Sequence, residues 1–232
     1  MDFFGFEKLS LVDFDGVVSA TVFTGGCNFR CGFCHNSPLV LDYKQLNVVS
    51  EKEVIDYLKK RSGILEGLCI SGGEPTLNKD LPNFCEKVKA LGYKIKLDTN
   101  GTDLDAIKSL ISNGLIDYVA MDIKNDFDHY GEIIGIEEFN PKTVIASKDF
   151  LLENSFPYEL RTTLIKEFHT EENVKKIAKE IKGASKYFLQ KFKDSGACIQ
   201  SHLSPVDENT VLKFVDILKE YIPYTYLRGY GI

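Results

Sequence analysis

The regular alternation of two kinds of segment constrains the fold of this chain more than any other feature. Six apolar runs rich in β-branched and aromatic residues predict strands at 17–23, 67–70, 93–98, 116–123, 157–165 and 186–192. Six amphipathic stretches predict helices at 50–61, 78–91, 102–113, 141–154, 170–182 and 207–221. Because strand–helix alternation with short links requires right-handed crossovers, we expect an α/β fold with a parallel sheet, either open or curled toward a barrel.

Residues at the ends of the predicted helices agree with these boundaries. Ser50 with Glu53 forms a capping-box pattern, and Thr170 precedes an acidic first turn. Glycines follow four of the helical runs, where a left-handed cap is favoured: Gly63, Gly92, Gly114 and Gly183.

No linker-like or repetitive segment interrupts the pattern. We therefore expect residues 1–232 to form one domain, with a lead-in at 1–16, a core at 17–222 and a tail at 223–232. The two longest irregular stretches, 124–140 and 193–206, are candidate binding loops.

Composition and charge exclude several functional classes. The 232 residues carry a net charge of -6 with no strongly basic block, so we expect no nucleic-acid partner. No apolar run reaches the roughly 18 residues needed to span a bilayer, and the first residues do not resemble a signal peptide. The six cysteines are too unevenly clustered for a secreted disulfide framework. We expect a cytoplasmic protein with reduced thiols and no membrane contact.

Three of these cysteines lie in the stretch CNFRCGFCHN with C-x3-C-x2-C spacing: Cys27, Cys31 and Cys34. Three thiolates on one loop can bind three corners of a cubic iron–sulfur cluster and leave the fourth iron open for a substrate. A tetrahedral zinc site is the alternative, but it usually takes paired C-x2-C knuckles from two segments. No second knuckle is present, because Cys69, Cys85 and Cys198 are isolated.

Polar and glycine residues follow several of the predicted strands. The first strand leads into Gly25, Gly26 and the cysteines, and later strands lead into SGGEP (71–75), DTNG (98–101) and MDIK (121–124). Arg161 lies in the middle of the fifth strand. Because the carboxyl ends of parallel strands meet at one edge, we expect a single active site there.

The motif CNFRCGFC, in which the aromatic Phe33 flanks Cys34, resembles the signature of radical S-adenosylmethionine (SAM) enzymes. Gly72, Gly73 and Glu74 resemble the glycine-glycine-glutamate element of that family. The resemblance implies a partial (β/α)6 barrel of the TIM-like, radical SAM type. It also implies an anaerobic oxidoreductase whose 4Fe–4S cluster binds SAM at the open iron. One-electron reduction then cleaves SAM to methionine and a 5′-deoxyadenosyl radical, which abstracts hydrogen.

The elements CHN (34–36), DTNG and DIK are similar to those of glycyl-radical-enzyme activases, which abstract hydrogen from a backbone glycine of a partner enzyme. That similarity implies a monovalent-cation site beside the SAM carboxylate, formed by Asp98, Thr99, Asp122 and the Ala120 carbonyl. It also implies that Lys124 and Arg161 contact SAM, that Asn100 borders the pocket and that His35 lies near the cluster or the glycine loop of the partner.

The compact chain, with KLSLVDFDG (8–16) before the first strand and LQKF (189–192) in the sixth, most resembles activating proteins of the anaerobic (class III) ribonucleoside-triphosphate reductase. It lacks a histidine in the sixth strand, where pyruvate formate-lyase activases carry one, and has Asp15-Gly16 in place of the usual Pro-Gly. The expected partners are this glycyl radical enzyme and an electron donor such as flavodoxin or ferredoxin.

Two other functions stay open. One is activation of a glycyl radical enzyme of the pyruvate formate-lyase type. The other is a reaction on a small molecule, resembling that of 7-carboxy-7-deazaguanine synthase. The sequence does not identify the electron donor, the oligomeric state or the cation. It assigns no role to Cys198 or to the tail Arg228-Gly229-Tyr230, which resembles a glycyl-radical loop only faintly and is better read as a terminal strand.

Overall fold

All six predicted strands and all six predicted helices are present in the computed structural model, which describes residues 1–231. The described chain divides into two compact units within a mostly parallel α/β fold. The division falls inside strand β7 (Tyr118–Asp122). The expectation that residues 1–232 form one domain stays a prediction.

The first unit comprises Met1–Asn28 and Pro38–Ala120. Its strands are β1 (Asp2–Phe3), β2 (Gly5–Ser10), β3 (Ser19–Thr24), β4 (Val49–Ser50), β5 (Gly67–Gly72) and β6 (Lys94–Thr99). Its helices are α1 (Ser37–Leu41, of which Ser37 belongs to the second unit), α2 (Glu51–Lys60), α3 (Leu81–Ala90) and α4 (Leu104–Ser112). The strands lie in the order β6-β5-β3-β2, in which β3, β5 and β6 are parallel and β2 is antiparallel. The short β1 and β4 form a separate antiparallel pair.

The second unit comprises Phe29–Ser37 and the chain from Met121 onward. Its helices are α5 (Tyr130–Ile134), α6 (Lys142–Glu153), α7 (Glu171–Glu180) and α8 (Glu208–Lys219). Its strands β8 (Tyr158–Leu164), β9 (Tyr187–Lys191) and β10 (Thr225–Arg228) are parallel neighbours in that order. Register pairs Arg161 with Phe188, and Phe188 with Tyr226.

The central strands are buried on both faces. In β5, the consecutive residues Leu68, Cys69 and Ile70 are all inaccessible to solvent, although neighbouring side chains in a strand point to opposite faces. This burial is typical of a parallel sheet covered by helices on both sides.

The predicted helix caps are observed. The Ser50 side chain accepts a hydrogen bond from the Glu53 N–H, and Thr170 forms a reciprocal capping box with Asn173. Gly92 and Gly114, which end two of the helices, adopt left-handed φ angles of 85° and 65°.

Five elements were not expected from the sequence, among them the short β4 just before α2, and a sixth lies in the predicted tail. The lead-in at 1–16 contains β1 and β2, and the short α1 follows the cysteines. The stretch 124–140 is not wholly irregular, because it contains α5. The tail contributes β10, as the sequence suggested, while Ile232 lies outside the described residues. Among residues 1–231, no helix combines the length and apolar character needed to cross a bilayer.

Glu180, at the end of α7, is predicted to make the stability of the folded state depend on pH. Burial raises its pKa to about 7, and the carboxylates of Asp126 and Asp128 act in the same direction, against the Phe127 N–H and Lys148. A raised carboxyl pKa favours the folded state below about pH 4.5, and this contribution is lost as the pH rises through about 7.

We therefore expect Glu180→Gln to raise the thermal unfolding midpoint at about pH 8 but to have little effect at about pH 5. The exposed Glu153→Gln variant is the control and should change neither midpoint. Equal shifts of the Glu180 variant at both pH values would contradict this assignment.

Candidate active site

Gly72, the last residue of β5, and Gly73 bring the main chain of the first unit into close contact with the end of β3 and the loop that follows it. A Cβ on Gly73 would lie 1.9 Å from the Gly26 carbonyl oxygen. The Gly73 N–H donates to the Thr24 carbonyl at 2.9 Å, and the Glu74 N–H donates to the Gly26 carbonyl at 2.8 Å. Only glycine fits at position 73, because the main chain of the loop after β3 occupies the space that a side chain would need.

Glu74 connects the loops after β5 and β6. Its carboxylate, 1% exposed, accepts from the Thr99 hydroxyl at 2.7 Å, from the Asn100 N–H at 2.7 Å, and from the N–H and hydroxyl of Thr76. Burial raises the pKa of Glu74, while these hydrogen bonds act against the increase. The sequence motif identified Glu74 but did not indicate these partners.

Asn100 connects this network to the first cysteine. Its side-chain amide lies 3.9 Å from the Cys27 sulfur and donates to the Asn28 side-chain oxygen at 2.8 Å. Asn28 in turn donates to the Thr102 hydroxyl at 2.8 Å. Sequence reasoning missed Asn28 and Thr102, because only the folded loops bring them to Asn100.

Asp98 and Thr99 lie at the end of β6, but their contacts differ. The Asp98 carboxylate is 3.1 Å from the ammonium group of Lys96, which is 3% exposed and also donates to the Asp13 carbonyl. The Thr99 hydroxyl binds Glu74 and accepts from the Gly101 N–H. Lys96, which the sequence did not single out, therefore supplies a positive charge beside Asp98.

In the second unit, Asp122 forms ion pairs with two basic side chains. Arg161 Nε and Lys124 Nζ each lie 2.8 Å from one of its carboxylate oxygens. Burial alone would raise the pKa of Asp122, but the charges of Arg161 and Lys124 outweigh burial and hold that pKa well below its usual range. Burial opposes the charged form of Lys124, but the charge and hydrogen bond of Asp122, together with nearby Cys31, outweigh burial and raise the Lys124 pKa. We call these three residues the ionic triad; with one negative and two positive charges, it has a net charge of +1.

Two residues that the sequence did not predict hold the main chain around Lys124. The Tyr130 hydroxyl donates to the Asp122 carbonyl and accepts from the Lys124 N–H, both at 3.3 Å. The Ile165 N–H donates to His169 Nδ1, which leaves the proton on Nε2 to be donated to the Lys124 carbonyl at 2.9 Å. Burial lowers the His169 pKa, which keeps this ring neutral. Neither residue belongs to a local motif, so their role becomes visible only in three dimensions.

Residues 29–37, which carry the other two cysteines, also belong to the second unit, and we call them the cysteine segment. The Cys34 N–H donates to the Cys31 carbonyl at 3.0 Å and forms a turn. The Lys124 ammonium lies 5.5 Å from the centroid of the Phe33 ring. Burial raises the Cys34 pKa, and burial followed by the charge of Lys124 lowers the His35 pKa. The ionic triad and this segment are therefore in direct contact through Lys124 and Phe33.

The donor set of the motif fits an iron–sulfur cluster. All six cysteines are free thiols, and the three of the motif offer the soft ligands that iron–sulfur clusters take. Within residues 1–231, no three His, Cys, Asp or Glu side chains are already gathered to hold a metal ion. Cluster ligation by Cys27, Cys31 and Cys34 therefore stays a prediction.

Comparison with known proteins identifies the family, because the model of the radical SAM superfamily matches residues 21–181. The chain belongs to the radical SAM superfamily. The chain is therefore a radical SAM enzyme, and both the expected fold class and the expected enzyme class are confirmed. Membership implies a 4Fe–4S cluster and SAM.

Three similar proteins illustrate the range of the family. A Methanocaldococcus jannaschii protein named "putative glycyl-radical enzyme activating enzyme" is 35% identical over 231 residues, covering 97% of this chain and 94% of that protein. The 7-carboxy-7-deazaguanine synthase of Neisseria meningitidis is 29% identical over 136 residues, 59% of this chain and 58% of that protein. The structure of Streptococcus suis SuiB bound to SAM matches 90% of this chain with a TM-score of 0.69 at 18% identity. The chain spans only 49% of SuiB, so this likeness concerns the fold.

The partners of Glu74 predict a large stability effect. Glu74→Ala would leave buried donors of Thr76, Thr99 and Asn100 without an acceptor, so we expect it to lower the free energy of unfolding by about 2–4 kcal/mol. Urea denaturation measures this loss. The matched control is Glu86→Ala on the exposed side of α3, which should cost less than about 0.5 kcal/mol. Equal losses in the two variants would show that the Glu74 network contributes nothing to stability.

Proposed function

We propose that this radical SAM enzyme is a glycyl-radical-enzyme activase whose partner is the anaerobic ribonucleoside-triphosphate reductase. The ionic triad of Asp122, Lys124 and Arg161, in contact with the cysteine segment, is the observation that carries the SAM site. The nearly full-length similarity to a protein named as an activating enzyme supports the activase class. The similarity of the compact chain to class III activating proteins supports the choice of partner.

Cys27, Cys31 and Cys34 would hold the cluster through three thiolates. When bound, the cluster and SAM supply the one-electron chemistry that removes a hydrogen atom from a backbone glycine. Asn100 contributes an N–H beside the Cys27 sulfur, and hydrogen bonds to cluster sulfurs are one of the means by which proteins set the properties of such sites.

The net positive charge of the ionic triad supports a role in binding SAM. A SAM carboxylate would supply the negative charge that balances Lys124 and Arg161. The guanidinium group of Arg161 and the ammonium group of Lys124 carry five and three N–H donors, which suit a carboxylate. Both cations are largely buried, with side chains 14% and 11% exposed, so their attraction for a carboxylate is screened little by water.

The monovalent-cation site expected at Asp98, Thr99, Asp122 and the Ala120 carbonyl is a separate part of the proposal. Asp98 already pairs with Lys96, and Asp122 pairs with two cations. A bound monovalent cation would have to share these carboxylates, so we expect any such cation to bind weakly.

A small-molecule reaction is the second candidate function, favoured by the similarity to 7-carboxy-7-deazaguanine synthase over 59% of the chain. The two functions need the same cluster and SAM residues and differ only in what reaches the radical. An experiment can therefore distinguish the two functions only through the substrate, because no single cofactor-binding residue differs between them. A flavodoxin or ferredoxin is the proposed electron donor in both cases.

The proposed SAM site predicts that removing the charge of Lys124 lowers the affinity for SAM. Lys124→Ala removes a charge-assisted contact and should weaken SAM binding about ten- to a hundredfold, measured by calorimetry on cluster-loaded protein. The iron content should stay at the wild-type level. Lys213→Ala, on the exposed face of α8, is the matched control and should bind SAM normally. Wild-type SAM affinity in the Lys124 variant would rule out the assigned pocket.

The proposed partner predicts a spectroscopic result. The cluster-loaded protein, mixed anaerobically with the class III reductase, SAM and a one-electron reductant, should produce a glycyl radical doublet in electron paramagnetic resonance. Pyruvate formate-lyase should give little signal. The reverse result would retain the activase class and change the partner. A radical on neither enzyme, together with deoxyadenosine release stimulated by a small molecule, would overturn the activase proposal.

A further inference from the structure

The cysteine segment of the second unit is fixed on one side by the end of α5. The Arg30 N–H donates to the Ile134 carbonyl at 2.8 Å, and a Cβ on Gly135 would lie 2.7 Å from the Arg30 carbonyl oxygen. The Phe29 ring packs edge-on against Phe139 at 5.4 Å between centroids. These contacts fix the start of the segment, before Cys31.

A second segment, residues 195–200, lies along the rest of the cysteine segment, and we call it the strap. Four hydrogen-bond contacts join the two: Gln200 N–H to the Gly32 carbonyl at 2.8 Å, Cys198 Sγ to the Phe33 carbonyl at 3.7 Å, Ser195 hydroxyl to the His35 carbonyl at 3.3 Å, and Ser37 hydroxyl to the Ala197 carbonyl. The strap thus engages three main-chain carbonyls between positions 32 and 35. A main chain held at three carbonyl groups within four residues has little freedom to rotate its peptide groups.

The strap is itself fixed at both ends. It starts shortly after β9, which ends at Lys191, and it is followed by residues that bind the chain after β8. The Lys166 N–H donates to the Ser204 carbonyl at 2.9 Å, and Pro205 forms a β-bridge with Ile165. The strap is therefore a short bridge between two anchored points and not a free loop, although it lies in the stretch 193–206 that the sequence marked as irregular.

We propose that the strap is a positioning element for the iron–sulfur cluster, which sets the main-chain conformation from which Cys31 and Cys34 bind iron. This inference rests on the proposed role of these cysteines as cluster ligands. Ligands whose backbone is already fixed lose less conformational entropy when they bind a metal and release it more slowly. Cys198 contributes through its contact with the Phe33 carbonyl and is not required as a ligand.

Gly32 makes the proposal testable, because it lies against the strap without a side chain. A Cβ at position 32 would lie 2.5 Å from Gln200 Oε1 and 2.9 Å from Gln200 Cβ. Gly32→Ala would therefore displace the strap, and Gln200→Gly would remove both atoms with which the new methyl group collides. The double variant Gly32→Ala/Gln200→Gly should therefore recover much of the resistance to iron loss that the single Gly32→Ala variant lacks.

The experiment measures how fast a chelator removes iron from anaerobically reconstituted protein, followed by the visible absorption of the cluster. We expect Gly32→Ala to lose iron about tenfold faster than wild type, and Ser37→Ala, which loses one strap contact, a few-fold faster. The double variant should lose iron within about twofold of the rate of Gln200→Gly alone. Gly183→Ala is the matched control: its left-handed φ of 90° makes alanine costly, so it should lower the unfolding midpoint without faster iron loss.

The outcomes separate this inference from the function on which it rests. Cys31→Ala should fail to hold the cluster, and retention of a full cluster in that variant would overturn the proposed ligand set. If Cys31→Ala loses the cluster but Gly32→Ala and Ser37→Ala release iron at the wild-type rate, the ligand set stands and the role of the strap is refuted. Faster iron loss in Gly183→Ala equal to that of Gly32→Ala would also refute it, because the effect would then follow from general instability.

Discussion

A buried or partly buried carboxylate at the end of a strand must find partners, and this requirement organises both compact units. In the first unit, Glu74 satisfies its oxygens with hydrogen bonds from the loops after β5 and β6. In the second, Asp122 is neutralised by Lys124 and Arg161. A buried charge without such partners would be far more costly than the loss of a single contact. Each carboxylate therefore fixes the chain around it, which includes several of the residues proposed to form the SAM and cation sites.

The regular part of the fold could be predicted from sequence because its signals are local. The six strands and six helices follow from the period of the apolar residues, and caps such as Ser50 and Thr170 mark helix starts within a few residues. The short β1, β2, β4, α1 and α5 were not predicted. They contain only two to six residues, too few to show a clear period, and the pairing of β1 with β4 joins residues far apart in the chain.

The candidate site was predicted less completely, for a related reason. The cysteines, the glycine pair and the charged residues of DIK belong to short motifs and could be named in advance. Their supporting residues could not, because Tyr130, His169 and the strap reach the motifs only through tertiary contacts. Lys96 was also missed, since a lysine within a strand predicts exposure, whereas here its ammonium group is buried against Asp98 and the Asp13 carbonyl.

The different environments of the six thiols determine how the chain would respond to oxygen. Cys69 and Cys85 are inaccessible to solvent, and burial raises the Cys85 pKa to about 12, so these two thiols are poor targets for oxidants that attack thiolates. Cys27, Cys34 and Cys198 are partly accessible. Oxidative damage would therefore be concentrated at Cys27, in the cysteine segment and in the strap that lies along it. In a chain exposed to air, thiols proposed to bind the cluster would be oxidised while the hydrophobic core remained native.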